Sequence, residues 1–187
     1  IEAAIRGHLK KPGGEITQED MTKLRSFSIH DRGVTDISPL KVAINMDSIN
    51  LADCTISDLT ALAGMKKLKT LYAHNNRIAD LSPLAGLTNL RYLYLAGNQI
   101  TDLSSLAGLK QLPYLNLRSN SKLTRAEIDK LKQALPNCVI YHDLMNAAEL
   151  IEAEIRHQLK KPGGEITEQD MAKLRGFTLN NRQVTDI

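Results

Sequence analysis

Tryptophan is missing from this chain of 187 residues, phenylalanine occurs twice, and aromatic residues make up only 4% of it. A large globular core ordinarily uses such rings as anchors. Here the 42% apolar fraction is mainly Leu, Ile and Ala, which favours a regular stack of small units over one large core. Charge of one sign is also scarce, with a formal net charge of +3. That is too small and too dispersed to indicate a nucleic-acid binder. The local run Lys10-Lys11, repeated as Lys160-Lys161, reads as a solvated helix end. Cysteine appears twice, as Cys54 and Cys138, without CxxC or Cys/His ligand spacing. Two separate buried thiols are preferred over a disulfide or a metal site. No apolar run approaches the roughly 20 residues needed to span a bilayer. The chain opens on Ile1 without a recognisable signal peptide, so it is expected to be a processed or excised piece of a longer protein.

What the chain does have is repetition, at two scales. The shorter repeat has a period of 22 residues and the form LxxLxLxxNxIxxLxxL, starting at Leu24, Met46, Leu68, Leu90 and Leu112. The cleanest copy is Leu90, Leu93, Leu95, Asn98, Ile100, Leu103 and Leu106, and the register does not slip through five copies. Side chains alternate at period 2 along a strand, so each LxL pair points inward from a short strand. Successive strands then stack in parallel at roughly 4.8 Å. The residue at the asparagine position turns the chain inward, where its amide can satisfy backbone groups that the turn leaves unpaired. Asn76, Asn98 and Asn120 fill that position, with Cys54 as a small buried substitute and Arg32 in the least enclosed first coil. Ser38, Ser82 and Ser104 each follow an aspartate (Asp36, Asp80, Asp102) and suit a short 3₁₀ turn on the far side. Those aspartates read as turn caps, not acid–base groups.

The longer repeat has an offset of 150 residues: Ile1–Ile37 and Ile151–Ile187 are identical at 25 of 37 positions. A tandem array of such modules is therefore expected, with this chain reaching part-way into a second copy. A solenoid exposes its core at both ends unless something covers it. Ile1, Ile5 and Leu9 form one apolar stripe on a helix stopped by Pro12-Gly13-Gly14, and Thr17 with Asp20 starts a second helix. At the other end Ile128, Leu131 and Leu135 form a helical stripe, Pro136-Asn137 stops it, and Cys138 to Tyr141 reads as a closing strand. A linking helix is expected over about 143–159.

The helical N-terminal cap, the 22-residue repeats with Leu87-Thr88-Asn89-Leu90, and the closing LPNC-plus-strand cap resemble the internalin-type leucine-rich-repeat domains of bacterial surface proteins. The resemblance covers about residues 1–143. It implies a leucine-rich-repeat α/β solenoid, a right-handed superhelix with a short parallel β-sheet, a helical N-terminal cap and a helix-strand C-terminal cap. It also implies an extracellular or cell-wall location and binding of a protein, often a host receptor. On this reading residues 1–23 are the N-terminal cap, 24–122 five repeats and 123–143 the C-terminal cap. Residues 144–187 are a linker helix and the partial N-terminal cap of a second module.

The concave sheet face would carry function. Residues between the inward leucines are Ser28, Asn50, Tyr72, Tyr94 and Asn116; just after them come His30, Ala52, His74, Ala96 and Arg118; two places earlier stand Ser26, Ser48, Thr70, Tyr92 and Tyr114. Four of the five tyrosines thus fall on one face. Tyrosine combines apolar area with a hydroxyl at little entropic cost, which suits recognition hot spots. The plainer reading is that tyrosines favour strands and stack across them. Exposed aromatics clustered on a concave face favour binding. The candidate site is therefore Tyr72, Tyr92, Tyr94 and Tyr114, edged by Asn50, Asn116, His74 and Arg118. His30 and His74 lie two strands apart with Ala52 between, so a metal site lacks a third ligand. Neither a catalytic constellation nor a phosphate loop stands at a meaningful spacing, so an enzyme is set aside and no cofactor is expected. The leading expectation is recognition of a protein or peptide. The rival is an architectural one, a spacer or self-associating array in which the segment from Ile151 packs on the preceding cap or on a neighbouring chain.

Overall fold

The computed structural model describes residues 1–174. The last stretch of the expected second cap, 175–187, lies outside those residues. Six short strands form one parallel sheet in chain order: β1 (Ser26–Ser28), β2 (Ser48–Asn50), β3 (Thr70–Tyr72), β4 (Tyr92–Tyr94), β5 (Tyr114–Asn116) and β6 (Val139–Tyr141). The pairing keeps the sequence period: Phe27, Ile49, Leu71, Leu93, Leu115 and Ile140 lie side by side across the sheet, all buried. Behind the sheet the leucines of each coil fill a continuous core, and Leu68, Leu90, Leu95 and Leu106 are fully enclosed. This is the expected α/β solenoid.

The turns out of β2 to β5 begin with a residue at positive φ, in steps of 22: Asp53, Asn75, Gly97 and Ser119. Left-handed backbone is costly for most side chains, and these types tolerate it best. At Gly97 the need is also steric, because a Cβ there would collide with the Asn75 amide oxygen. The next residue is the inward asparagine. Asn98 Oδ1 accepts from Ile78 N at 3.0 Å, and its Nδ2 donates to Ala73 O at 2.9 Å and Leu95 O at 3.0 Å. Asn76 and Asn120 repeat that set one coil before and one after. Each amide therefore ties its own coil to the preceding one inside the core.

Cys54 supplies half of this pattern. Its thiol lies 3.6 Å from Ala52 O and 3.7 Å from Ile29 O, in the place of the asparagine donor. The acceptor half is not needed, because Val34 N donates to Asp31 O within its own turn. Arg32, at the matching place in the first coil, is exposed.

On the opposite side of the coils four 3₁₀ turns begin in the same way. Asp36, Asp58, Asp80 and Asp102 accept from the backbone N of the residue two places on, at 2.7–2.8 Å. Asp58 joins the three aspartates picked out by their following serine, with Thr60 in serine's place. At Asp36 and Asp102 the backbone N–H of the serine, and then its hydroxyl, hold the carboxyl below its ordinary value.

Helices close both ends. At the start, α1 (Glu2–Leu9) buries Ile5, and α2 (Gln18–Lys23) begins with a reciprocal cap in which Thr17 and Asp20 bond each other's backbone N. At the far end α3 (Arg125–Ala134) replaces a 3₁₀ turn, so that Val139 pairs with Tyr114 after 25 positions instead of 22. The linking helix α4 (Ala147–Leu159) starts four residues later than the expected boundary. Asn146 caps it, bonding Glu149 N while Glu149 bonds back to Asn146 N. A short α5 (Glu168–Met171) follows.

Under the far cap His142 is 2% exposed, and neither ring nitrogen has a hydrogen-bond partner among the described residues. Burial, reinforced by the positive charges of Lys132 and Arg125, pulls its pKa from 6.5 down to about 4.

Two outcomes follow. Asn98→Ala should cost about 2 kcal/mol in urea unfolding, because it orphans the buried Ile78 N–H and leaves Ala73 O and Leu95 O with one asparagine partner each instead of two. Asn116→Ala, on the partly open sheet face, should cost under about 1 kcal/mol; equal losses would refute the ladder's importance. The second concerns pH. The folded chain holds His142 neutral, whereas the unfolded chain protonates it near 6.5. Stability is thus complete above that value and declines as pH falls toward 4. Thermal melts of His142→Phe should lack this decline.

Candidate functional site

The sheet face away from the core carries two lengthwise rows. One runs Ser26, Ser48, Thr70, Tyr92, Tyr114 and Val139; the other runs Ser28, Asn50, Tyr72, Tyr94, Asn116 and Tyr141. Parallel pairing without slip brings ring beside ring. Tyr72 and Tyr94 stack with centroids 4.6 Å apart and planes 8° from parallel; Tyr92 and Tyr114 do so at 5.9 Å and 7°. Tyr92 is the most open of them, at 42%. Burial, then the neighbouring tyrosines, raises the pKa of Tyr94 and of Tyr114, so these hydroxyls stay protonated donors at neutral pH.

The polar residues of the predicted site divide by what already holds them. Asn50 Oδ1 accepts from Ala52 N and Asn116 Oδ1 from Arg118 N, each at 3.1 Å. Their carbonyl oxygens are therefore committed to local turns, while their side-chain N–H groups have no protein partner among the described residues. The Arg118 guanidinium lies 5.5 Å from the Tyr141 ring centre, a cation–π contact that fixes its direction. His74 is half-buried beside this row, two strands from an exposed His30 that pairs with the Ser28 hydroxyl at 3.2 Å. Ala52, expected on the open face between them, is fully buried. Side-chain size alone does not decide this, since Ala96, the same residue at the equivalent position two coils on, is only half-buried.

Tyr141 was not among the predicted site residues, yet it continues the row of Tyr72 and Tyr94. The 22-residue register stops at Asn120, so spacing alone does not place it. The usable signal was the strand alternation of Val139-Ile140-Tyr141, which puts residues 139 and 141 opposite the inward Ile140.

The C-terminal end of this face is covered by α4. Tyr141 Oη donates to Ala153 O at 3.1 Å, and Tyr114 Oη to Arg156 O at 3.3 Å. The His157 ring meets Tyr114 edge-on at 5.3 Å. Glu149 is clamped by Lys132 at 2.8 Å and Arg125 at 3.1 Å. Burial pushes its carboxyl up, but these cations and the Asn146 N–H outweigh that and bring it to about 2. Thus Tyr114 is half anchor and half surface, whereas Tyr72, Tyr92 and Tyr94 make no hydrogen bond or ring contact with α4. No group of three or more His, Cys, Asp or Glu among the described residues converges as a metal site.

The family description Leucine Rich repeats (2 copies) matches residues 44–86 and 88–133. An internalin of Listeria monocytogenes (inlF) superposes with a TM-score of 0.62 at 26% identity, over 81% of this chain and 52% of that one. A Leptospira interrogans leucine-rich-repeat protein does so with a TM-score of 0.60 at 26% identity, over 67% of this chain and 33% of that one. The functional domain of InlJ from Listeria monocytogenes, which includes a cysteine ladder, shares the fold at 18% identity and a TM-score of 0.52, over 71% of this chain and 33% of that one. The chain thus spans about half of the first of these proteins and a third of the other two. No curated protein matches it. Repeat period, parallel sheet, inward asparagines and these neighbours agree: the chain carries leucine-rich repeats wound into a solenoid similar to that of the internalins.

Proposed function

We propose that this chain is a non-catalytic recognition module of a bacterial surface or secreted protein, binding a protein or peptide on its concave sheet. In that division residues 24–122 are five recognition repeats between caps at 1–23 and 123–143, and 144–187 opens a further module. The observation that carries the reading is the pair of stacked tyrosine couples on one open face. Stacking holds the rings before any ligand arrives, so little rotamer entropy is lost on binding. Tyr72, Tyr92 and Tyr94 supply the apolar contact. The amide N–H groups of Asn50 and Asn116, with His74 and the Tyr141-held Arg118, supply directed polar contacts around it. Likeness to the internalin fold supports protein recognition and a surface or secreted setting. On the opposite side the Asp36, Asp58 and Asp102 carboxyls, held below their ordinary pKa by the N–H and hydroxyl groups they cap, suit structure more than proton transfer.

The test is to screen immobilised chain against arrayed extracellular protein domains and then repeat each hit with Tyr92→Ala and Tyr94→Ala. Each truncation should weaken a true ligand by about 2 kcal/mol, roughly 30-fold. The fold should lose only about 1 kcal/mol, from the broken stacks. Full-strength binding by the double variant, with its circular dichroism melt intact, rules out the tyrosine face.

A further inference from the structure

The same helix and loop occur twice in the chain. Residues 1–14 and 151–164 differ only where Ala4, Gly7 and His8 stand against Glu154, His157 and Gln158. The copies also share geometry. Arg6 Nη1 donates to Gly14 O at 2.9 Å, and Arg156 Nη1 to Gly164 O at 3.0 Å. Lys11 pairs with Asp20 at 2.7 Å, and Lys161 with Asp170 at 2.6 Å. Both helices end on a left-handed lysine, Lys10 and Lys160.

What differs is the company each copy keeps. In α1 the stripe of Ile5 packs on its own solenoid, with the His8 ring 5.0 Å from Phe27 and its Nε2 accepting from Ser28 N at the β1 edge. In α4 a different side is engaged. Ala153 is 4% exposed and Leu150 7%; the carbonyls of Ala153 and Arg156 accept the Tyr141 and Tyr114 hydroxyls. Gly163 sits so close to Asn137 that a methyl group there would force that side chain aside. The counterparts in the first copy make none of these contacts. Ala3 is exposed, and a methyl group at Gly13 would meet nothing.

The helix is therefore two-sided, and in α1 only one side is used. We propose that the Ala3–Gly13 face of α1 is a docking surface for the β6 edge of a second copy of this module, packed head to tail in the way α4 sits on β6 here. The second copy would present Tyr114, Asn137 and Tyr141. Against them α1 offers the same methyl, the same two backbone carbonyls and the same glycine. Such a contact is heterologous and propagates as a line of modules rather than closing a pair. It is independent of the concave-face reading, since neither Tyr92 nor Tyr94 takes part.

Within one chain α4 holds its seat against such a rival. It adds Leu150, the Glu149 clamp to Arg125 and Lys132, and the His157 edge contact, none of which α1 possesses. It is also tethered, which raises its effective concentration at the seat. Loosening α4 should consequently open the seat to α1 of another molecule.

The test is sedimentation equilibrium on the full chain. Wild type should run as a single chain. With Leu150→Asp and Ala153→Asp, the average mass should climb from one chain toward two and beyond as concentration rises. Adding Ala3→Asp or Gly13→Val, substitutions at an exposed and an open position, should return it to one chain. The proposal fails if the double variant stays at one chain, or if its association survives both added changes. If circular dichroism shows that charge on α4 unfolds the cap, Glu149→Ala with Leu150→Ala loosens α4 without that charge, and the same two criteria apply.

Discussion

A stack of parallel strands cannot close on itself, and everything else in this molecule answers to that constraint. Each coil buries its leucines only against the coils beside it, so the first and last coils face water with core and strand edge together. The chain meets both exposures with the same amphipathic helix. At one end α1 lays Ile5 on the solenoid and His8 over a free N–H of β1. At the other, α4 covers β6 with Leu150 and Ala153 and accepts two tyrosine hydroxyls. A single helical sequence can serve both ends because its two sides are each suited to one of them.

Between the ends, order is maintained by few polar groups. Asn76, Asn98 and Asn120 stand in the core with every amide function engaged. Buried amides of this kind are costly unless fully bonded, so they discriminate strongly against a slipped register. The effect reaches the surface. Ring stacking of Tyr72 on Tyr94 and of Tyr92 on Tyr114 requires neighbouring strands to be in step, and the asparagines behind the sheet help keep them there.

Much of this was legible in the sequence because a strict period of 22 converts position into place. The strands, the inward leucines, the turn asparagines and the tyrosine row all follow from one alignment. What escaped lay where the period ends or where equivalent positions differ. Tyr141 comes after α3 has lengthened the step, so its place in the row could be read only from strand alternation. Ala52 has the right position for the open face yet is buried, whereas Ala96 at the same place in a later coil is not. Asp58 was overlooked because Thr60, not serine, follows it. The partial covering of Tyr114 by α4 depends on a contact between distant elements, to which local patterning is blind.

The asparagine ladder also bears on how such a chain can change its length. Each amide bonds only within its own coil and to the one before, and Ala73 O and Leu95 O are met in the same way by successive asparagines. Excise one period between equivalent points, or insert one, and every buried amide finds a partner of the same kind at the same distance. Gain and loss of whole repeats therefore leaves the core's bonding pattern intact, while a change in the spacing between a strand and its asparagine orphans the buried amide. Evolution can widen or narrow the binding face in increments of one strand, about 4.8 Å at a time, without having to redesign what lies beneath.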